Sequence, residues 1–444
     1  MRCTKTSSGL LKASIPKWNS PFRISIWLAH SFGLICRTKG CITLTMETTT
    51  LSQSHISHLA CSACGTTHSA FGPQLLSTCC QLPLEAQYES EEPLPRSILT
   101  NRVGTMWRYR EMLPVFSDEH IVSLGEGFTP ILPLLNLGQK YELKQIQLKD
   151  EGQNPTGSFK ARGLSMAISK AKEFGVEGCI VPTAGNAGVA MAAYCAKAGM
   201  KAVVVMPRHT PKAFKEECYW YGADVQLVDG LINDCAARAK ELNASGSLLD
   251  VSTLKEPYRL EGKKTMGYEI AEQLNWNLPD VILYPAGGGT GLIGIWKAFK
   301  EMQQLGWLPQ SIKLPRMVAV QAANCQPLVD TYFGVQENCR NYMGKPTIAN
   351  GLAVPRPLGE QMMLNVLRQS GGTAISVTEH EMLEGLQELG KNEGLFVAPE
   401  GAAVWMAARK LLSSGHINRD EHILLLNTGS GQKYMANVEG KYQL

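Results

Sequence analysis

The sequence predicts an α/β protein built on mostly parallel sheets with helices on both faces, and three observations carry that reading. From about residue 120 onward, short apolar runs of strand length alternate with stretches of helical periodicity. Four glycine-bearing loops, at 152–157, 183–188, 287–291 and 428–431, follow apolar runs. No repeat of solenoid length interrupts the alternation. Parallel strands need crossover connections, normally helices, and those helices cover the sheet. In open parallel sheets, ligands sit at the carboxyl ends of strands, where these loops fall.

The elements follow in order. Residues 144–148 read as a strand, then a loop, then a helix from about 157 to 174. Residues 179–182 form a strand that leads through Thr183-Ala-Gly-Asn-Ala-Gly188 into an alanine-rich helix ending near Ala198. Strands follow at 201–206 and 281–284. The latter runs into Gly287-Gly-Gly-Thr-Gly291 and a helix whose Leu292, Ile295, Trp296, Phe299 and Met302 share one face. A last strand, 422–426, ends in Asn427-Thr-Gly-Ser-Gly431.

The amino-terminal part differs. Residues 1–46 carry seven basic residues and no acid, and read as a basic tail, a transit peptide or an over-long start before Met46, the last being preferred. Without those seven, 36 Lys and Arg stand against 39 Asp and Glu, so the body offers no basic surface for nucleic acid. Residues 47–60, rich in Ser, Thr and His, read as unstructured. An extension over 47–109 contains Cys61-Ser-Ala-Cys64-Gly and then Cys79-Cys80. The first pair has zinc-knuckle spacing, whereas the adjacent second pair is poor geometry for two ligands on one tetrahedral ion. Cys61 and Cys64 are candidate ligands of a degenerate ribbon over 61–80, but the preferred reading is a cap without metal. The 13 cysteines are scattered, unlike a secreted disulfide scaffold, which favours a cytoplasmic protein, or an organellar one if the basic segment is a transit peptide. No apolar run is long enough to span a membrane.

The loops suggest chemistry. In Asn154-Pro-Thr-Gly-Ser-Phe-Lys160, the Asn-Pro pair sets a turn, and Thr156 and Ser158 can cap the helix that follows. Lys160 then lies in the first helical turn, where the positive helix end lowers its hold on a proton. A partly deprotonated lysine is what Schiff-base chemistry requires. Thr183–Gly188 opens a helix, and backbone N–H groups there bind anions. The loop Gly287, Gly288, Gly289, Thr290, Gly291 lets the main chain approach a phosphate, yet it lacks the P-loop ending and the dinucleotide spacing. Thr428 would set a neutral hydroxyl beside a bound ring.

Asn154-Pro-Thr-Gly-Ser-Phe-Lys160-Ala-Arg-Gly resembles the cofactor-lysine segment of fold-type-II pyridoxal-phosphate enzymes, and within them the threonine synthases, with threonine dehydratases as near relatives. The resemblance spans about residues 120–435. It implies two three-layer αβα domains with the cofactor in the cleft between them: a large one from 110–154 and 271–435, a small inserted one over 155–270, and a tail at 436–444. It implies that Lys160 carries pyridoxal 5'-phosphate and acts as base and acid, that Asn186 meets the cofactor's phenolic oxygen, that Gly287 to Gly291 hold its phosphate and that Thr428 partners its ring nitrogen. Thr183 and Gly185 would grip a substrate carboxylate. The stretch Ser252-Thr-Leu-Lys-Glu-Pro-Tyr-Arg259-Leu-Glu-Gly-Lys-Lys264-Thr is similar to the family's substrate-phosphate segment, with Arg259 as the phosphate ligand. It departs by one extra residue and by Glu256, a negative charge that Lys255 and Lys263 could offset. The activity implied is conversion of O-phospho-L-homoserine and water to L-threonine and phosphate, with a threonine or serine dehydratase as the alternative. A homodimer is expected from the fold alone.

Overall fold

The computed structural model describes residues 54–90, 93–230 and 232–440, together with four short strands within the first 52. Those strands, Cys3–Lys5, Leu11–Ala13, Ser25–Leu28 and Leu34–Arg37, pair antiparallel in chain order within a separate unit, Met1–Ser52. Met46 and the three readings of the basic segment lie outside the described residues.

The second unit, Gln53–Leu444, contains three sheets. The largest is built from β1 (Ile131–Pro133), β2 (Gln145–Asp150), β7 (Val281–Pro285), β8 (Arg316–Ala322), β9 (Thr373–Val377) and β10 (His422–Asn427), in the order β9-β8-β7-β10-β2-β1. All its pairings are parallel except β1 with β2. The central β7 is buried at every residue, as expected of a strand covered on both faces, and Pro133 is confined to the edge strand. The second sheet is wholly parallel. It consists of β3 (Gly178–Pro182), β4 (Lys201–Pro207), β5 (Asp224–Val228) and β6 (Leu248–Asp250), in the order β5-β4-β3-β6. The third is a small antiparallel sheet, Thr67–His68, Ile56–Cys61 and Leu84–Tyr88.

Five helices position the site: α1 (Lys160–Glu173), α2 (Asn186–Ala198), α3 (Tyr258–Gln273), α4 (Thr290–Gln304) and α5 (Pro399–Ser413). α1 and α3 cross at a pair of glycines. A Cβ on Gly262 would stand 2.2 Å from the Arg162 carbonyl oxygen, and one on Gly163 would stand 2.9 Å from both the Arg259 carbonyl oxygen and Lys263 Nζ. Only the missing side chains allow the two main chains to approach this closely, and the crossing puts α3 beside the start of α1.

Two local expectations are corrected. Residues 54–60 are not unstructured, because Ile56, Leu59 and Cys61 pack on Ala70, Leu84 and Ala86 and make this segment a strand. The helix predicted from 157 begins instead at Lys160, since Pro155–Gly157 is a separate turn in which Thr156 adopts φ 62°.

Candidate active site

The loop before α1 is held by main-chain bonds to the loop after β10. Phe159 N donates to the Thr428 carbonyl at 3.1 Å, and Ser430 N to the Gly157 carbonyl at 2.9 Å. Ala398 N in turn donates to the Gly429 carbonyl at 2.9 Å, which brings in the start of α5. Lys160 thus begins its helix wedged between segments that are far apart in sequence. Thr156 and Ser158 do not cap it as expected: the residue before the helix is Phe159, and the buried Thr156 and Ser158 hydroxyls have no hydrogen-bond partner. Lys160 is half-buried, with its amine over the Phe159 ring at 4.0 Å. Desolvation of that amine, helped by the Arg259 charge and opposed by Glu400, lowers its pKa to about 7. Burial and the Arg259 charge, neither of which the sequence reading invoked, both lower it.

α2 starts at Asn186, immediately after Thr183 and Gly185. Gly185 N donates to Thr183 Oγ1 at 3.3 Å. Asn186 Nδ2 donates to the Tyr434 hydroxyl at 3.3 Å, while Asn186 Oδ1 is buried without a partner. The Tyr434 hydroxyl donates to Glu400 Oε1 at 3.0 Å, and Gly351 N donates to the same oxygen at 2.7 Å. The site therefore includes two residues that sequence reasoning missed. Glu400 is buried, its Oε2 is unpaired, and burial raises its pKa. Its local signal is only a carboxylate in the first turn of an alanine-rich helix, which is a common helix-start residue.

The loop 287–291 ends β7 and begins α4, with Gly289 at φ 76°. It abuts the same cluster from the other side: a Cβ on Gly287 would stand 2.1 Å from the Gly351 carbonyl oxygen, and one on Gly288 would stand 2.8 Å from Thr253. Gly287 thus lies against Gly351, whose N–H binds Glu400, and Gly288 against the 252–259 segment, while Gly289, Thr290 and Gly291 carry the chain into α4. Thr428 is buried at the end of β10, joined through its carbonyl to Phe159.

α3 supplies the charge. Arg259 and Lys263, one turn apart, are 1% and 0% exposed. Arg259 Nη1 donates to the Val251 carbonyl at 2.6 Å, whereas its Nε and Nη2, and Lys263 Nζ, have no hydrogen-bond partner. Burial, reinforced by the Arg259 and Lys160 charges, pushes the Lys263 pKa well down. Glu256 does not face an incoming anion as a free charge. Its Oε2 accepts from Tyr258 N and Arg259 N at 2.7 and 3.0 Å, so it caps α3, and burial raises its pKa to about 7. Lys255 is taken up by Asp250 at 2.9 Å, which leaves Arg259 and, less strongly, Lys263 as the basic groups that bear on Glu256.

The cluster as a whole has too few anions. Lys160, Arg259 and Lys263 converge, and the nearby carboxylates, Glu256 and Glu400, are both shifted toward neutrality. Unpaired buried cations and hydroxyls are costly unless a ligand satisfies them. A polar ring compound with an aldehyde and a phosphate fits this site. The aldehyde gives Lys160 a carbon to attack, and the glycine loop at the start of α4 suits the phosphate, which leaves the Arg259 and Lys263 donors for a second anion.

A parallel α/β fold with a desolvated lysine among glycine loops suits an enzyme that holds a carbonyl-bearing cofactor, and sequence comparison makes the class specific. The chain belongs to the pyridoxal-phosphate dependent enzyme family, whose model matches residues 122–429. It is 36% identical over 378 residues to a threonine synthase of Methanocaldococcus jannaschii, covering 84% of this chain and 92% of that one. With a threonine synthase of Methanosarcina acetivorans it is 34% identical over 376 residues, covering 84% and 91%. The fold is also that of a diaminopropionate ammonia lyase from Escherichia coli, with a TM-score of 0.61 at 19% identity over 73% of this chain and 91% of that one.

Proposed function

We propose that the protein is a threonine synthase, converting O-phospho-L-homoserine and water to L-threonine and phosphate. The observation that carries the reading is the pair of buried basic groups with unpaired donors, Arg259 and Lys263, beside Lys160, which an incoming dianion would hold in the charged form. An L-serine or L-threonine substrate has no dianion to require them. Relatives of that name, over a third identical across most of both chains, support the same reading.

When bound, pyridoxal phosphate supplies the electron sink that makes protons near the substrate's amino group removable. Lys160 would hold the cofactor and, as a free amine, would take the proton from Cα and return it; its lowered pKa suits both at neutral pH. Thr183, Gly185 and the start of α2 orient the substrate carboxylate. Asn186, Thr428 and the 287–291 loop hold the cofactor. Arg259 and Lys263 would grip the phosphate and stabilise its charge as the Cγ–O bond breaks with loss of a proton from Cβ. Cγ then gains a proton, water gives its hydroxyl to Cβ and its proton to the base, and Cα is reprotonated. We also place the enzyme in the cytoplasm as a homodimer with a small inserted domain over 155–270. Among the described residues, no helix is long and apolar enough to cross a membrane.

A turnover assay with O-phospho-L-homoserine, L-threonine and L-serine tests the reading. Phosphate and threonine should appear together from the first substrate. Oxo acid from the hydroxy amino acids, without phosphate release, would instead establish the dehydratase, for which the Glu256 carboxyl beside Arg259 is the supporting feature. Arg259→Ala should raise KM for the phosphorylated substrate ~10- to 100-fold, the worth of one or two charge-assisted hydrogen bonds, and change serine binding little. Equal weakening of both would remove Arg259 from phosphate recognition. Only an unprotonated amine attacks an aldehyde, so cofactor uptake by apoprotein should rise with pH through about 7, not near the ordinary 10.5. The growth of visible absorbance at a series of pH values measures this midpoint.

A further inference from the structure

Away from the active site, the small antiparallel sheet brings four cysteines together. Cys61 and Cys64 lie on one turn, closed by Gly65 N donating to the Cys61 carbonyl at 2.9 Å and Cys61 N to the Thr66 carbonyl at 3.0 Å. Cys79 and Cys80 lie on a second, closed by Gln81 N donating to the Ser77 carbonyl at 3.0 Å and Ser77 N to the Leu82 carbonyl at 2.9 Å. Gln81 adopts φ 55°, which bends the chain sharply after Cys80. Ser62 N reaches the Pro83 carbonyl at 3.0 Å and ties the two turns to each other. The four Sγ atoms all lie within 4.8 Å of one another, with Cys64 Sγ 3.5 Å from both Cys79 Sγ and Cys80 Sγ. The adjacency of Cys79 and Cys80, which by sequence disfavoured a shared ion, does not keep either sulfur from the first pair.

We propose that Cys61, Cys64, Cys79 and Cys80 bind one structural zinc ion as a four-thiolate site. Zinc–sulfur bonds of about 2.3 Å in a tetrahedron require sulfurs about 3.8 Å apart, which is the spacing approached here. Four protein ligands leave no open position for substrate, so the ion is structural. Such a staple suits the sheet. Its fully buried core is only six small or medium residues, Ile56, Leu59, Cys61, Ala70, Leu84 and Ala86, with Tyr88 and Phe116 packed against it, so a metal cross-link between its two turns would add materially to its stability. Soft thiolates select zinc over the hard cations magnesium and calcium.

The consequence reaches the active site through one side chain. Leu84–Tyr88 runs from the second turn toward α3, and the Tyr88 hydroxyl donates to Glu261 Oε2 at 2.7 Å. Lys264 Nζ lies 3.7 Å from the centre of the Tyr88 ring. Glu261 and Lys264 alternate along α3 with Arg259 and Lys263. The zinc site therefore anchors a strand that braces the phosphate-binding helix.

Metal analysis of the full chain, purified reduced and without chelator, tests this. About one zinc per chain is expected, and exchange for cobalt should give the intense visible bands of a tetrahedral thiolate site. Cys64→Ala and Cys80→Ala, both at exposed positions, should each lose the zinc while the cofactor's visible absorbance remains. If either variant fails to fold, titration of the wild type with an organomercurial replaces it, and zinc should be released as four thiols react. Purified protein without zinc, iron in its place, a disulfide among the four cysteines, or zinc retained in either variant would each overturn the assignment.

Discussion

Lys160→Ala should abolish the visible absorbance of bound cofactor and lower turnover by ~10⁴-fold or more, since a positioned amine is worth ~10²–10⁴-fold for each proton it moves and this one moves several. The fold should survive. Alanine is the best helix former, and Lys160 is a half-buried residue at the very start of α1. Near-normal thermal unfolding together with lost turnover is therefore the expected pair of results. Small amines added to the variant should restore part of the activity, because the missing group is an amine and not a packing contact. A variant that kept both colour and turnover would sink the assignment of Lys160.

The second large effect concerns stability. Arg162, also on α1, is fully buried between Glu151 and Glu269: its Nε lies 2.6 Å from Glu151 and its Nη1 2.5 Å from Glu269, whose other oxygen is 3.0 Å from Lys149 Nζ. This cluster ties the end of β2 to α1 and α3. Arg162→Met leaves buried carboxylates short of a cation and should cost about 3–5 kcal/mol, read from denaturant unfolding. A loss below about 1 kcal/mol would mean that water reaches the cluster. The sign with pH follows from Glu269, whose pKa is lowered to about 2 despite burial, chiefly by Arg162 and then Lys149. A carboxylate held below its ordinary value of 4.5 stabilises the fold above that pH. Wild-type stability should therefore fall as pH drops from about 4.5 toward 2, and Arg162→Met should flatten that slope.

What the sequence made legible was local. The strands near 179, 201, 281 and 422 are unbroken aliphatic runs, and each glycine loop announces itself by composition, so the parallel fold and the loops at Lys160, Asn186 and Gly287 could be placed before any coordinates. Glu400 and Tyr434 could not. Their place beside Asn186 depends on the 396–400 and 428–434 segments folding against each other, a long-range pairing with no local pattern. Glu256 was misread for a related reason. A carboxylate two residues before a helix looks like stray charge until the backbone N–H groups that it accepts are in view. The four cysteines were judged on spacing along the chain, whereas the fold of two facing turns decides their spacing in space.

The glycine crossing of α1 and α3 has a consequence for how the enzyme can change. With Gly163 against the Arg259 carbonyl and Gly262 against the Arg162 carbonyl, the separation between the main-chain positions of Lys160 and Arg259 is set by two backbones in close approach. On the proposed roles of Lys160 and Arg259, the crossing would act as a fixed ruler between the amino end and the phosphate end of the substrate. Lengthening or shortening that ruler requires shifting a whole helix, which point substitutions inside the pocket do not accomplish. Selection for a phosphorylated substrate of another chain length would therefore act on the interface between these helices, in the turn directly behind Lys160 and Arg259.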